Sequence, residues 1–312
     1  LTEAEKPGDA VYHWLAMSDA PTTMTSLDYR RATQTEVSGR LAPALVGVTF
    51  FLGYLFFVGK PNVVDAFARI GISCLPAIVL AILADRVPRM SRILLFAVNL
   101  AAVLLCIMPN LLAKVQPGGW TWGMFAGVSA IVGILVAAIT TLTQMLHQRD
   151  GTALAMLVSI GMTLATAALL LFAGIASMPQ YTLTLVLGIV AVLIVGTIHH
   201  PLRNSRGIYT IVMAILATQL VSAHLWGADD GMPIWAGAAV IASPLYAWVV
   251  RIPWIARRRP WQRIVVGLLV AAIPAAAACA LMGTEYAGGW NRSKSNGGDS
   301  SETIDSYDTW KP

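Results

Sequence analysis

Nine long apolar runs constrain this chain more than any other feature of it. They cover residues 41–59, 63–84, 93–113, 120–146, 152–177, 181–200, 208–226, 232–250 and 264–283. Each is close to the ~20 residues a helix needs to cross ~30 Å of hydrocarbon. The runs are continuous and not alternating, which argues against membrane strands. A helix also satisfies every backbone N–H and C=O where no water can. Only 12% of the 312 residues are charged, half the roughly 25% of a soluble domain. The expected fold class is all-α: a polytopic membrane helix bundle with nine transmembrane helices. The expected organisation is a polar N-terminal segment (1–40), the bundle (41–283) and a disordered tail (284–312) rich in Gly, Ser and Asp.

Lys and Arg set the orientation. Loops on one side hold fourteen of them near the spans, among them Arg86, Arg89, Arg92, Arg203, Arg206 and Arg257–Arg259. The opposite side holds four: Lys60, Lys114, Arg292 and Lys294. The bias recurs at every second loop, so span count and orientation support each other. It predicts a cytoplasmic N-terminus and an exterior C-terminus in a bacterial-type inner (plasma) membrane. Trp120, Trp122, Trp226, Trp235, Trp248, Trp254 and Trp261 lie near span ends, as an aromatic belt would.

A net charge of +5 in a soluble protein would point to nucleic acid. Here the basic residues lie between apolar runs. The expected partners are therefore the lipid bilayer, its anionic headgroups at the cytoplasmic basic loops, and other membrane proteins, with no nucleic acid. The segment "RIPWIARRRPWQR" (251–263) reads as a basic elbow in the interface.

Standard catalytic motifs are absent: there is no Walker loop, no H-E-x-x-H and no C-x-x-C pair. Cys74, Cys106 and Cys279 all fall inside apolar runs and read as small buried residues. Two spellings stand out. Ala223, His224, Gly227 and Gly231 form A-H-x-x-G-x-x-x-G, and Gly127-Val128-Ser129-Ala130 forms G-x-S-x. Together they resemble the rhomboid intramembrane proteases, which implies Ser129 as nucleophile and His224 as its base. The surroundings differ from that family. There the histidine opens a helix running inward, whereas His224 closes span seven running outward. One span separates the two motifs in the family, and two intervene here. A motif is confirmed by its context, so no catalytic residue is assigned. Ser129 is instead read with Gly133 and Ala137 as a small-residue packing row. A second row, Gly123 and Gly127, makes span four the expected centre of the bundle, with Gly133 buried in protein.

His147, His199 and His200 end spans four and six. They could ligate haem or a metal, but "MLHQRD" and "TIHHPLR" run straight into charged loops. They are read as interfacial anchors, with no cofactor and no metal site expected. Ionisable residues inside spans are nearly absent. Asp65 and Arg69, four apart, can pair on one helix face. Uncharged polar residues are plentiful: Asn99, Asn110, Thr140, Thr141, Thr143, Gln144, Ser159, Thr163, Thr166, Thr218, Gln219, Ser222 and Tyr246. Pro76, Pro109, Pro244 and Pro274 kink their spans. The leading expectation is a transporter or permease-like protein for a small or lipid-like substrate, not an enzyme. A non-catalytic scaffold subunit of a membrane complex is the alternative, and the rhomboid-like protease stands behind both.

Overall fold

The computed structural model describes residues 26–59, 68–87, 91–117, 119–150, 152–175, 177–198, 205–226 and 232–296. Among them there are helices and turns and no strand. The chain divides into Leu1–Ser38 and Gly39–Pro312. The helices are α1 (Ser26–Phe57), α2 (Ala68–Arg86), α3 (Arg92–Leu112), α4 (Trp122–Asp150), α5 (Thr152–Phe172) and α6 (Ser177–Ile198). They continue with α7 (Gly207–Trp226), α8 (Ile234–Tyr246), α9 (Pro253–Ala256) and α10 (Pro260–Asn296), a 3-10 turn (Ala247–Arg251) following α8.

Seven described helices are long and apolar enough to cross a membrane: α3 to α7, α8 with its 3-10 turn, and α10. The apolar part of α1, Leu41–Phe57, is shorter. The described α2 carries Arg69, Asp85 and Arg86 near its ends.

Local chemistry explains the breaks. α5 stops at Gly174, whose φ of 74° suits a residue without Cβ. The Ile175 N–H then turns back to the Leu170 carbonyl, closing the helix end. α8 carries Pro244 inside its last turn and tightens into 3-10 geometry from Ala247, and the chain leaves helical geometry at Ile252, the residue before Pro253. α10 departs from expectation at its C-terminus. It runs to Asn296, through residues read as the start of a disordered tail. Extending a long helix is far easier than starting one, and Tyr286 packs its ring 6.0 Å from that of Phe172.

The centre of the bundle is α7. It packs against α2, α3, α4, α5, α6 and α8, and 83% of its apolar stretch is buried. α4 does not hold that place. Its Gly133 is buried against Leu104 and Leu100 of α3, as the small-residue row implies, but Gly123 and Gly127 are exposed. One row therefore meets a neighbour and the other faces outward. Small residues permit close approach without requiring it. The apolar half of α1 packs on α6, where Phe50 and Tyr54 each set a ring edge-on to Tyr181 at 5.8 and 5.9 Å. α10 leans on α5, α8 and the 3-10 turn.

Candidate functional site

The buried polar groups gather along α7, and its two ends treat them differently. At the N-terminal end, α2 and α7 approach until a Cβ on Gly207 would run into the Ala81 carbonyl oxygen. That contact brings Asp85 over the start of α7. Its carboxylate accepts the backbone N–H of Arg206 at 2.6 Å and of Gly207 at 2.9 Å, and the Ser205 hydroxyl. These N–H groups have no partner within the helix, and the helix dipole favours a negative charge there. The Arg206 guanidinium is buried and donates to the Val87 carbonyl.

One turn further, α3, α4 and α7 are tied by a closed ring. Asn99 Nδ2 donates to Gln144 Oε1 at 2.8 Å, Gln144 Nε2 donates to Thr210 Oγ1 at 2.9 Å, and Thr210 Oγ1 donates to Asn99 Oδ1 at 2.8 Å. The remaining amide protons are used as well. Asn99 Nδ2 also donates to Thr141 Oγ1 at 2.9 Å, and Gln144 Nε2 to the Arg206 carbonyl at 3.1 Å. All four side chains are buried. Beside the ring, buried His147 Nδ1 lies 2.8 Å from Tyr209 Oη. The reading of His147 as an interfacial anchor is thus corrected. The preceding turns of α4 turn its ring inward, against α7. His199, His200 and Asp65 lie outside the described residues. Among the described residues, no group of three or more His, Cys, Asp or Glu could hold a metal ion.

Toward the C-terminal end of α7 the satisfaction stops. Two contacts fix its register against α3. Thr210 meets Asn99, and the Lys114 ammonium sits 3.7 Å over the Trp226 ring. The helices therefore run parallel, and Asn110 falls level with Ser222. Gln219 is one turn below. On α4, which runs the other way, Gly133 meets Leu104, so Ser129 lies within a turn of the same level. Asn110, Gln219 and Ser222 are wholly buried and Ser129 is 5% exposed. None of their side-chain polar atoms has a hydrogen-bond partner.

Ser129 and His224 do not form a dyad. Ser129 Oγ is unpaired, while His224 Nδ1 is 2.8 Å from the Met232 carbonyl oxygen. That bond fixes the imidazole to the turn leading into α8. Arg69, expected beside Asp65, donates to the Pro109 carbonyl at 3.2 Å. Pro109 sits next to Asn110. Reading the sequence singled out Asn99, Thr141, Gln144, Asn110, Gln219 and Ser222 but missed Asp85, Arg206, Tyr209 and Thr210. Asp85 carries a signal in hindsight, as an acid among the basic residues that close the spans on that side.

Seven membrane-length apolar helices, with α7 among them at the centre, are compatible with a multi-pass integral membrane protein. Compared with models of protein families, with curated proteins and with solved structures, the chain matches none.

Proposed function

We propose that the protein is a permease-like carrier of small uncharged hydrogen-bonding solutes. On this reading it crosses a bacterial-type inner membrane nine times, with its N-terminus in the cytoplasm. The observation that carries the reading is the unpaired level on α7. Gln219, Ser222 and Asn110 are fully buried without a protein partner. Each buried unsatisfied group costs roughly 1–3 kcal/mol, and unpaired groups in a native protein call for a water or ligand that completes them. No Asp, Glu, Lys or Arg lies on α7, so the complementary solute carries hydroxyl or amide groups, not a full charge. The satisfied ring at Asn99 would close one side of the path.

Stopped-flow light scattering on proteoliposomes tests this, with glycerol and urea as probes. Entry should be faster than into protein-free liposomes, and slower again with Gln219→Leu. Rates equal to those of protein-free liposomes for both probes overturn the proposal. Topology has its own test. Reporters fused after Arg206 and after Asn296 should read cytoplasm and exterior, and two reporters on one side contradict the nine-span count.

A scaffold role is the second reading. It is favoured by α10, only 22% of whose apolar stretch is buried, a flank available to another membrane protein. A single defined adduct after photo-crosslinking from Ile273 in native membranes would favour it over transport.

A further inference from the structure

α5, α8 and α10 enclose a furrow that the unpaired level does not touch. Its volume is about 210 Å³, and it is lined by Gly161 and Ala165 of α5, Ser243 of α8, and Leu268, Ala272 and Cys279 of α10, among others. Its one hydroxyl is already engaged, since Ser243 Oγ donates to the Ala239 carbonyl. The lining therefore offers hydrocarbon contact and nothing polar to recognise. The volume exceeds that of an engineered apolar cavity of about 150 Å³ that takes up benzene. Leu268 and Cys279 are eleven residues apart on α10, or about 16 Å at the helical rise. A volume of that size drawn out over that length is narrow. A helix about 10–12 Å across does not enter it, but a single hydrocarbon chain does.

Charge identifies which chain. α8 and α10, two walls of the furrow, are joined by the basic elbow. It holds Arg251, Arg257, Arg258, Arg259 and Arg263, and no acidic residue occurs between Asp230 and Glu285. Arg257, Arg258 and Arg259 are exposed. Arg258 stacks 4.8 Å over the Trp254 ring, the arrangement of a residue held at an interface. From Arg263, half a bilayer of hydrocarbon, about 15 Å, ends near Ile273. A chain whose headgroup sits on the elbow therefore enters the furrow at Leu268 and fills its nearer half.

We propose that the furrow and the elbow together bind one anionic phospholipid, with an acyl chain between α5 and α10 and the phosphate on Arg257–Arg259. The proposal rests on α5, α8 and α10 crossing the membrane and is independent of transport. The full chain, purified in detergent, would be mixed with equal amounts of phosphatidylglycerol and phosphatidylcholine, and the adducts counted by native mass spectrometry. The phosphatidylglycerol adduct should dominate. Replacing Arg257, Arg258 and Arg259 together with Gln should lower its excess by about tenfold or more and leave phosphatidylcholine unchanged. Gly161→Leu should weaken both adducts. A Cβ there meets no atom within 4 Å, so the side chain starts in open space and extends over the furrow that Gly161 lines. Equal adducts in the wild type, an excess that survives the triple substitution, or unchanged adducts in Gly161→Leu would each overturn the proposal.

Discussion

α7 and α10 are opposites. The apolar stretch of α7 is 83% buried with a mean hydropathy of 1.7, whereas that of α10 is 22% buried with a mean hydropathy of 2.6. In a soluble protein the more apolar helix would be the inner one. In a multi-pass membrane protein lipid surrounds the bundle, so the outer helix must be apolar and the inner one is free to carry residues such as Thr210, Thr218, Gln219 and Ser222. Hydropathy in this chain does not report depth in the protein, as expected of a bundle whose outer face meets lipid.

The sharpest way to break the comparison is to change one side chain on each helix and compare the outcome. On α7, Gly207→Ala drives a Cβ onto the Ala81 backbone, which cannot rotate away. It also strains the cap that Asp85 makes with the Gly207 N–H. The expected loss is about 3 kcal/mol, the upper end of overpacking, read as a lower midpoint of thermal unfolding in detergent. On α10, Ile273 is exposed, and Ile273→Ala should change stability by no more than about 0.5 kcal/mol. Similar losses from the two would mean that α10 is as enclosed as α7.

A smaller effect is expected at the ring. Asn99→Leu removes hydrogen bonds to Thr141, Gln144 and Thr210 together and strands buried partners. The expected loss is roughly 2–3 kcal/mol. Asn99→Asp should not rescue it, because the ring needs the amide donor and a buried charge would be added. A full rescue by Asp would show that the ring is open to water.

Seven of the nine expected spans, those of α3 to α8 and α10, were legible because each required a long continuous run, and a run of that length has few other uses. The polar residues of the ring were legible as types: Asn99, Thr141 and Gln144 stand out against their apolar neighbours. Their closure into a ring was not, since it depends on the register among α3, α4 and α7. The centrality of α7 was also hidden. Small residues drew attention to α4, yet Gly127 faces outward, while the buried helix advertises itself only by its polar "TQLVS". Arg206 was read only as a topogenic loop charge, and Asp85 was not read at all. Their capping and packing roles come from the approach of two helices some 120 residues apart in sequence.

The smallest expected effect has an informative sign. Gln219 is as deeply buried as Asn99, but its amide has no protein partner. Gln219→Leu therefore removes no protein hydrogen bond and relieves a desolvated amide. If the level around it were dry, the variant should gain about 1 kcal/mol or more. If a water or solute completes the amide, as proposed here, that gain is cancelled by the lost ligand and by packing around the emptied space. The expected result is a midpoint within about 0.5 kcal/mol of the wild type. Solute entry should nevertheless slow. Asn99→Leu, by contrast, lowers the midpoint. A clear stabilisation by Gln219→Leu with unchanged solute entry would mean that the unpaired level is dry and plays no part in transport. The two ends of α7 would then differ only in how well they are satisfied.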